Sequence, residues 1–128
     1  MTTRTRLLLD THVVLWWLMD DAELSDELKE AIDEELEVFV SSATAWEVSI
    51  KQGLGKLSAP VDLAEEILRS DLQQLPIGFE HAIEAGRLPL HHRDPFDRML
   101  VAQARVEGLT LVTRDTAIND YDVRVVKA

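Results

Sequence analysis

LLLDTHVVLWWL, Leu7–Leu18, is the stretch on which the fold turns. Its three leucines form a short apolar run that reads as a buried β-strand, and Val13–Met19 reads as the start of a helix. Asp10 stands at the junction. A carboxylate that ends an apolar strand and precedes another apolar run needs buried hydrogen-bond partners if its role is only structural.

The pattern repeats outward from that unit. An acidic amphipathic helix is expected over about Ser25–Glu35, with Leu28, Ile32 and Leu36 on one stripe, and Val38–Val40 is the second strand. Ser42 or Thr44 caps a third helix that runs to Gly53 or Gly55, and Val61–Asp71 is a further amphipathic helix. Leu75-Pro76-Ile77 is a short extended segment whose proline suits a sheet edge, and Glu80–Gly86 is a brief helix. The clearest helix opens at Asp94-Pro95, an N-cap followed by proline at the first helical position, and stops at Gly108. Met99, Leu100, Val101 and Ala104 fill its apolar positions, and Thr110–Thr113 and Val123–Val126 complete the strands. Strands alternating with helices predict an α/β chain: a three-layer α/β/α sandwich around a mostly parallel five-stranded sheet.

The 128 residues fit a single domain over 1–128, without internal repeats or linkers. The absence of cysteine excludes disulfide frameworks, thiolate metal sites and cysteine nucleophiles. The longest apolar run, Val13–Met19, is far short of the roughly 20 residues that span a bilayer. Arg4 and Arg6 before Leu7–Leu9 faintly resemble a signal peptide, but Asp10 and His12 break the segment and no small-residue cleavage site follows. A cytoplasmic protein without a membrane partner is the expectation. The net charge of −11 at first argues against a polyanionic partner. However, Asp20 to Glu37 holds ten acids against Lys29 alone and so carries −9, which leaves only −2 for the rest. The run reads as a solvated helix face, with a landing patch for a basic protein as the other reading.

Four acids stand at corresponding places: Asp10 after the first strand, Glu47 beyond the second, Asp97 at the start of the Asp94 helix and Asp115 after Leu111-Val112-Thr113. In an open parallel sheet the carboxyl ends of strands face the ligand crevice, so all four can converge there. Each has a structural reading too. Glu47 follows Thr44 at capping-box spacing, Asp97 is three residues after the cap Asp94, and Asp115 suits the cap of a short last helix. Taken together they suit a hard divalent ion such as Mg²⁺ or Mn²⁺, which accepts carboxylate oxygens, and metal-assisted phosphodiester hydrolysis is the reaction class. With those acids neutralised, the charge outside the acidic run becomes +2. Arg87, His91, His92, Arg93, Arg98 and Arg114 are candidates to meet phosphates, with an ion pair to a neighbouring acid the equal alternative for Arg98. A zinc site built on His12, His91 and His92 is disfavoured by their spacing, and His92 is expected to hydrogen-bond near the helix start, with His12 under the site.

The stretches Leu7–Leu18, Ser42–Lys51 (SATAWEVSIK), His92–Ala104 (HRDPFDRMLVAQA) and Leu111–Asp115 (LVTRD) together resemble the PIN-domain ribonucleases, specifically the VapC-type toxins of type II toxin–antitoxin pairs. Matched position by position, the resemblance implies a PIN-like fold with Asp10 and Asp97 as direct Mg²⁺ ligands, and Glu47 and Asp115 completing the pocket directly or through water. Asp97 is preferred to Asp94 because a cap carboxylate is already engaged by backbone N–H groups. Thr11 and Thr113 are expected to orient bound water or phosphate. The resemblance further implies a homodimer, inhibition by a VapB-like antitoxin and cleavage of structured RNA such as tRNA. A helix-in-groove mode of inhibition is physically reasonable, and Val13–Leu18 and Trp46 are candidates to line the groove, with core packing the better reading for most of them. Two other readings are a catalytically silent PIN-like scaffold that only binds RNA or protein, and a receiver domain. The latter lacks a well-placed lysine, since Lys56 and Lys127 are badly positioned.

Overall fold

A computed structural model describes residues 5–35, 37–59 and 61–128. Leu36, the last member of the acidic helix's stripe, and Arg4 lie outside the described residues. The strands are β1 (Leu7–Leu9), β2 (Val38–Ser41), β3 (Gln73–Leu75), β4 (Thr110–Thr113) and β5 (Val125–Lys127). The helices are α1 (Thr11–Leu18), α2 (Asp26–Glu34), α3 (Ser42–Gly53), α4 (Leu63–Arg69), α5 (Phe79–Arg87) and α6 (Pro95–Glu107), and a 3₁₀ turn covers Thr116–Asp120.

The sheet runs β3-β2-β1-β4-β5 and every pairing is parallel. Alternation along the strands sends side chains to two cores. Leu7, Leu9, Val38, Val40 and Val112 pack with Val13, Val14, Val48, Leu63 and Ile67 on one face. Leu8 and Leu111 pack with Leu88, Leu100, Val101, Ala104 and Ile118 on the other. Helices therefore cover both faces, as the expected sandwich requires. Ile32 is buried and Leu28 packs beside it, so the described part of the acidic helix's stripe faces the first core.

Some boundaries move. Asp10 itself caps α1, so the helix starts at Thr11 and only one residue separates strand from helix. Ser41, not Ser42 or Thr44, caps α3, its hydroxyl accepting from the Ala43 amide. The expected Val61–Asp71 helix shortens to Leu63–Arg69 because Asp62 is the N-cap and Ser70 the C-cap. The edge strand lies at Gln73–Leu75, just ahead of Pro76, and the last strand is shifted to Val125–Lys127. α6 begins and ends as expected, with Gly108 in the left-handed region at φ 69.

This order fixes the location of the crevice. From β1 the chain winds outward through β2 to β3, then crosses over to β4 on the other side of β1. The carboxyl ends of β1 and β4 thus flank the switch point, where open α/β sheets bind ligands.

Candidate active site

Asp10 leaves β1 at that point, buried to 6% exposure. Its Oδ1 accepts from the Val13 amide at 2.9 Å and its Oδ2 from the Thr113 hydroxyl at 2.5 Å. The same hydroxyl accepts from the Asp115 amide at 3.1 Å, so one threonine at the end of β4 fixes both acids. Burial pushes the Asp10 carboxyl above its ordinary range, against the Thr113 and Val13 hydrogen bonds and the nearby His12, and Asp115 adds to the rise.

Asp97 is presented by the first turn of α6, whose cap Asp94 accepts from the Phe96 and Asp97 amides at 2.8 and 3.3 Å. Burial first, then the charge of Asp94, raises Asp97 to about 6, with Glu47 and Asp10 adding and His92 opposing. The Asp94 amide faces His92 Nδ1 at 3.3 Å, which leaves the ring proton on Nε2. That N–H donates to Asp115 Oδ2 at 2.8 Å and lies 2.9 Å from Asp97 Oδ2. His92 is raised: burial opposes charging the ring, but the Asp115 hydrogen bond and the charges of Asp97, Asp115 and Asp94 outweigh it. An imidazole thus bridges two of the predicted acids, in keeping with its expected hydrogen bond near the helix start.

Asp10, Asp97 and Asp115 line one open cavity of about 380 Å³ together with His12, Trp16 and Arg114. Glu47 sits beside it rather than in its wall. It lies in the second turn of α3, where no capping box with Thr44 exists because Ser41 is the cap. Only 4% exposed, its Oε1 accepts from the Thr11 hydroxyl at 2.7 Å and its Oε2 from Lys51 Nζ at 2.6 Å. The hydroxyls of Thr11 and Thr113 are therefore both directed at carboxylates.

The capping argument for choosing Asp97 over Asp94 does not discriminate among these acids. Asp10 and Asp115 are themselves N-caps, each with one oxygen on a backbone amide. Capping engages one oxygen of each, and the second goes to the Thr113 hydroxyl in Asp10 and to the His92 ring in Asp115.

The candidate phosphate cations separate by environment. Arg114 stacks over Trp16 at 4.4 Å and is held by Glu23, placing a cation at the cavity's rim. Arg98 takes neither expected role: its guanidinium donates to the carbonyls of Ala85, Leu88, Pro89 and His92 and to the Tyr121 hydroxyl, tying down the loop before α6. His91 packs its ring on Tyr121, while Arg87 and Arg93 are exposed. His12 is exposed in the cavity wall, against Trp16. Trp46 is 62% exposed, against the expectation of core packing, and meets Phe96 edge-on at 5.4 Å. In contrast, Val13, Val14 and Leu15 are core. Lys51 and the His92 bridge escaped the sequence reading; the i,i+4 spacing of Glu47 and Lys51 on a helix was the signal for the former.

A site of three convergent carboxylates at the switch point of a five-stranded parallel sheet defines a class, and a family model described as the PIN domain matches residues 7–124. The chain belongs to the PIN-domain family and is of the VapC type. It is similar to Ribonuclease VapC22 of Mycobacterium tuberculosis, 30% identical over 120 residues that cover 91% of this chain and 92% of that protein. Its fold is that of DNA-bound VapBC from Salmonella typhimurium, with TM-score 0.74 at 21% identity over 96% of this chain and 98% of that one. VapBC-5 from Mycobacterium tuberculosis also matches, with TM-score 0.65 at 20% identity over 97% and 99% of the two chains.

Proposed function

We propose that this chain is a Mg²⁺-dependent endoribonuclease, the toxin of a type II toxin–antitoxin pair, which hydrolyses phosphodiester bonds in structured RNA such as tRNA. The observation that carries the reading is the convergence of Asp10, Asp97 and Asp115 on one open cavity, with Glu47 beside it. The donor set fits a hard divalent cation. Asp97 and Asp115 each bring a carboxylate oxygen within 4.8 Å of the other's, and the repulsion from Asp94, Glu47 and Asp10 that adds to burial in raising Asp97 is what a cation relieves. Mn²⁺ suits the same oxygens.

Asp10 and Asp97 would hold the ion, with Asp115 and Glu47 reaching it directly or through water. Bound there, Mg²⁺ supplies positive charge to a phosphoryl oxygen and lowers the pKa of water. The protein's own part is placement. Thr113 holds Asp10, Thr11 holds Glu47, the α6 cap presents Asp97, and Arg114 offers a rim cation to the RNA backbone. Similarity to a ribonuclease and to toxin–antitoxin complexes supports the reading and a VapB-like antitoxin as partner, and the working assembly in this proposal is a homodimer. No helix among the described residues is long and apolar enough to cross a membrane, which is compatible with a cytoplasmic site of action.

The test is cleavage of a defined structured RNA pool by wild type and Asp97→Asn, with Mg²⁺ and with EDTA, both proteins first shown folded by circular dichroism. Cleavage that needs Mg²⁺ and disappears in the variant is expected. Equal cleavage by both proteins sinks the assignment, and Mg²⁺ binding without cleavage across the pool favours the silent scaffold.

A further inference from the structure

Glu47 differs from the other acids in what surrounds it. Asp10, Asp97 and Asp115 each face the open cavity, and the oxygens of Asp10 and Asp115 are held by backbone amides, Thr113 and His92, whereas Glu47 lies outside the cavity wall and has a lysine ammonium on it, with Thr11 at 2.7 Å on one oxygen and Lys51 at 2.6 Å on the other. Thr11 is itself buried and backed by Thr44 at 3.2 Å, so the carboxylate cannot turn without breaking a hydroxyl chain. Lys51 is one helical turn on from Glu47 and half-exposed, long enough to reach from the solvent rim into the acids. Besides Glu47, its charge interacts with Asp94 and Asp97 at the α6 N-terminus.

We infer that Lys51 is a built-in second cation of this site: its ammonium, 2.6 Å from Glu47 Oε2, gives that carboxylate the positive partner a second metal ion would otherwise supply, and leaves one divalent ion to bind beside Asp10 and Asp97. Metal nucleases neutralise the charge on the attacking and leaving oxygens with one ion or with two about 3.5–4 Å apart. A lysine fixed against a buried glutamate supplies the second positive charge without the cost of capturing a second ion. Lys51 is then a positioning residue for Glu47. The inference rests on the metal-nuclease reading of the site, but it makes its own claim about how many ions bind.

The experiment counts Mn²⁺ bound per chain by electron paramagnetic resonance in wild type, Lys51→Met and Lys51→Arg, without RNA. One ion is expected for wild type and for Lys51→Arg, and two for Lys51→Met, where Glu47 is freed. Two ions in wild type, or one in Lys51→Met, overturns the inference whatever the cleavage assay gives. A wild type that binds one ion but cuts no RNA counts against the ribonuclease reading alone.

Discussion

At the scale of single residues, Thr113 carries more of the site than its size suggests. Its hydroxyl donates to Asp10 and accepts from the Asp115 amide, and it is buried. Thr113→Val keeps the shape and removes both bonds. We expect a loss of about 1–3 kcal/mol in denaturant unfolding and, by calorimetry, Mg²⁺ binding weakened about 10–100-fold. Asp97 gives a signed pH dependence. Its carboxyl rises from 3.8 to about 6. The stability of its protonated form is fully present below the ordinary carboxylate value and is lost as pH rises through about 6. Without metal, the melting temperature should therefore be higher at pH 5 than at pH 7.5, and Asp97→Asn should flatten the difference. Mg²⁺ affinity runs the other way, falling by up to about tenfold per pH unit below the Asp97 value, because the ion competes with a proton. Affinity independent of pH across that range would remove Asp97 from the ligand set.

At the scale of elements, α6 shows what local chemistry makes legible. Asp94 as cap, Pro95 in the first turn and Gly108 as the left-handed stop are each read from residue type, and the helix begins and ends where they say. Gly108 sits at φ 69 with open space where a Cβ would go, so Gly108→Ala should cost only backbone strain, about 1–2 kcal/mol by thermal melting, with Mg²⁺ binding unchanged. That Asp10, Asp97 and Asp115 share one cavity was legible for a related reason: Asp10 and Asp115 follow strands that end at the switch point and Asp97 opens a helix, whereas Glu47, in the second turn of α3, lies outside the cavity wall. What was illegible depends on long-range approach. Arg98 has acids nearby in sequence, yet the fold surrounds it with carbonyls from the loop before α6. Arg98→Met should therefore cost about 3 kcal/mol or more, visible as a lower unfolding midpoint, without altering the salt dependence of RNA binding. Trp46 misleads in the opposite direction: helix periodicity does not say whether the α3 face opposite the core is covered, and here it is not.

On the scale of the whole molecule, the charge is divided between two regions. The exposed face of α2 carries half of the acidic run, and the run's own base, Lys29, pairs with Asp20 at 2.9 Å, while Arg114 pairs with Glu23 and Arg6 with Glu37. The cavity's rim holds Arg114 and His12. RNA approaching the site meets repulsion from α2 that ions screen over about 8 Å at physiological salt. Replacing the exposed Glu27, Glu30 and Glu34 with glutamine should tighten RNA binding at low salt, and the gain should vanish near 1 M, where screening acts over about 3 Å. A gain that persists at 1 M would mean α2 touches the RNA instead.

The placement of β1 has a consequence in time. This strand is the centre of the sheet and pairs with β4, whose register sets Leu7 against Thr110 and Leu9 against Val112. The ribosome makes Asp10 103 residues before Thr113, whose hydroxyl holds it, and Asp115 follows later still. A half-synthesised chain has no neighbour for one edge of β1 and no cavity, since pairings this distant in sequence form late. Under the proposed function, the translating cell is spared the activity of an unfinished chain, and the interval in which an inhibitor would have to be waiting begins only when β4 has emerged.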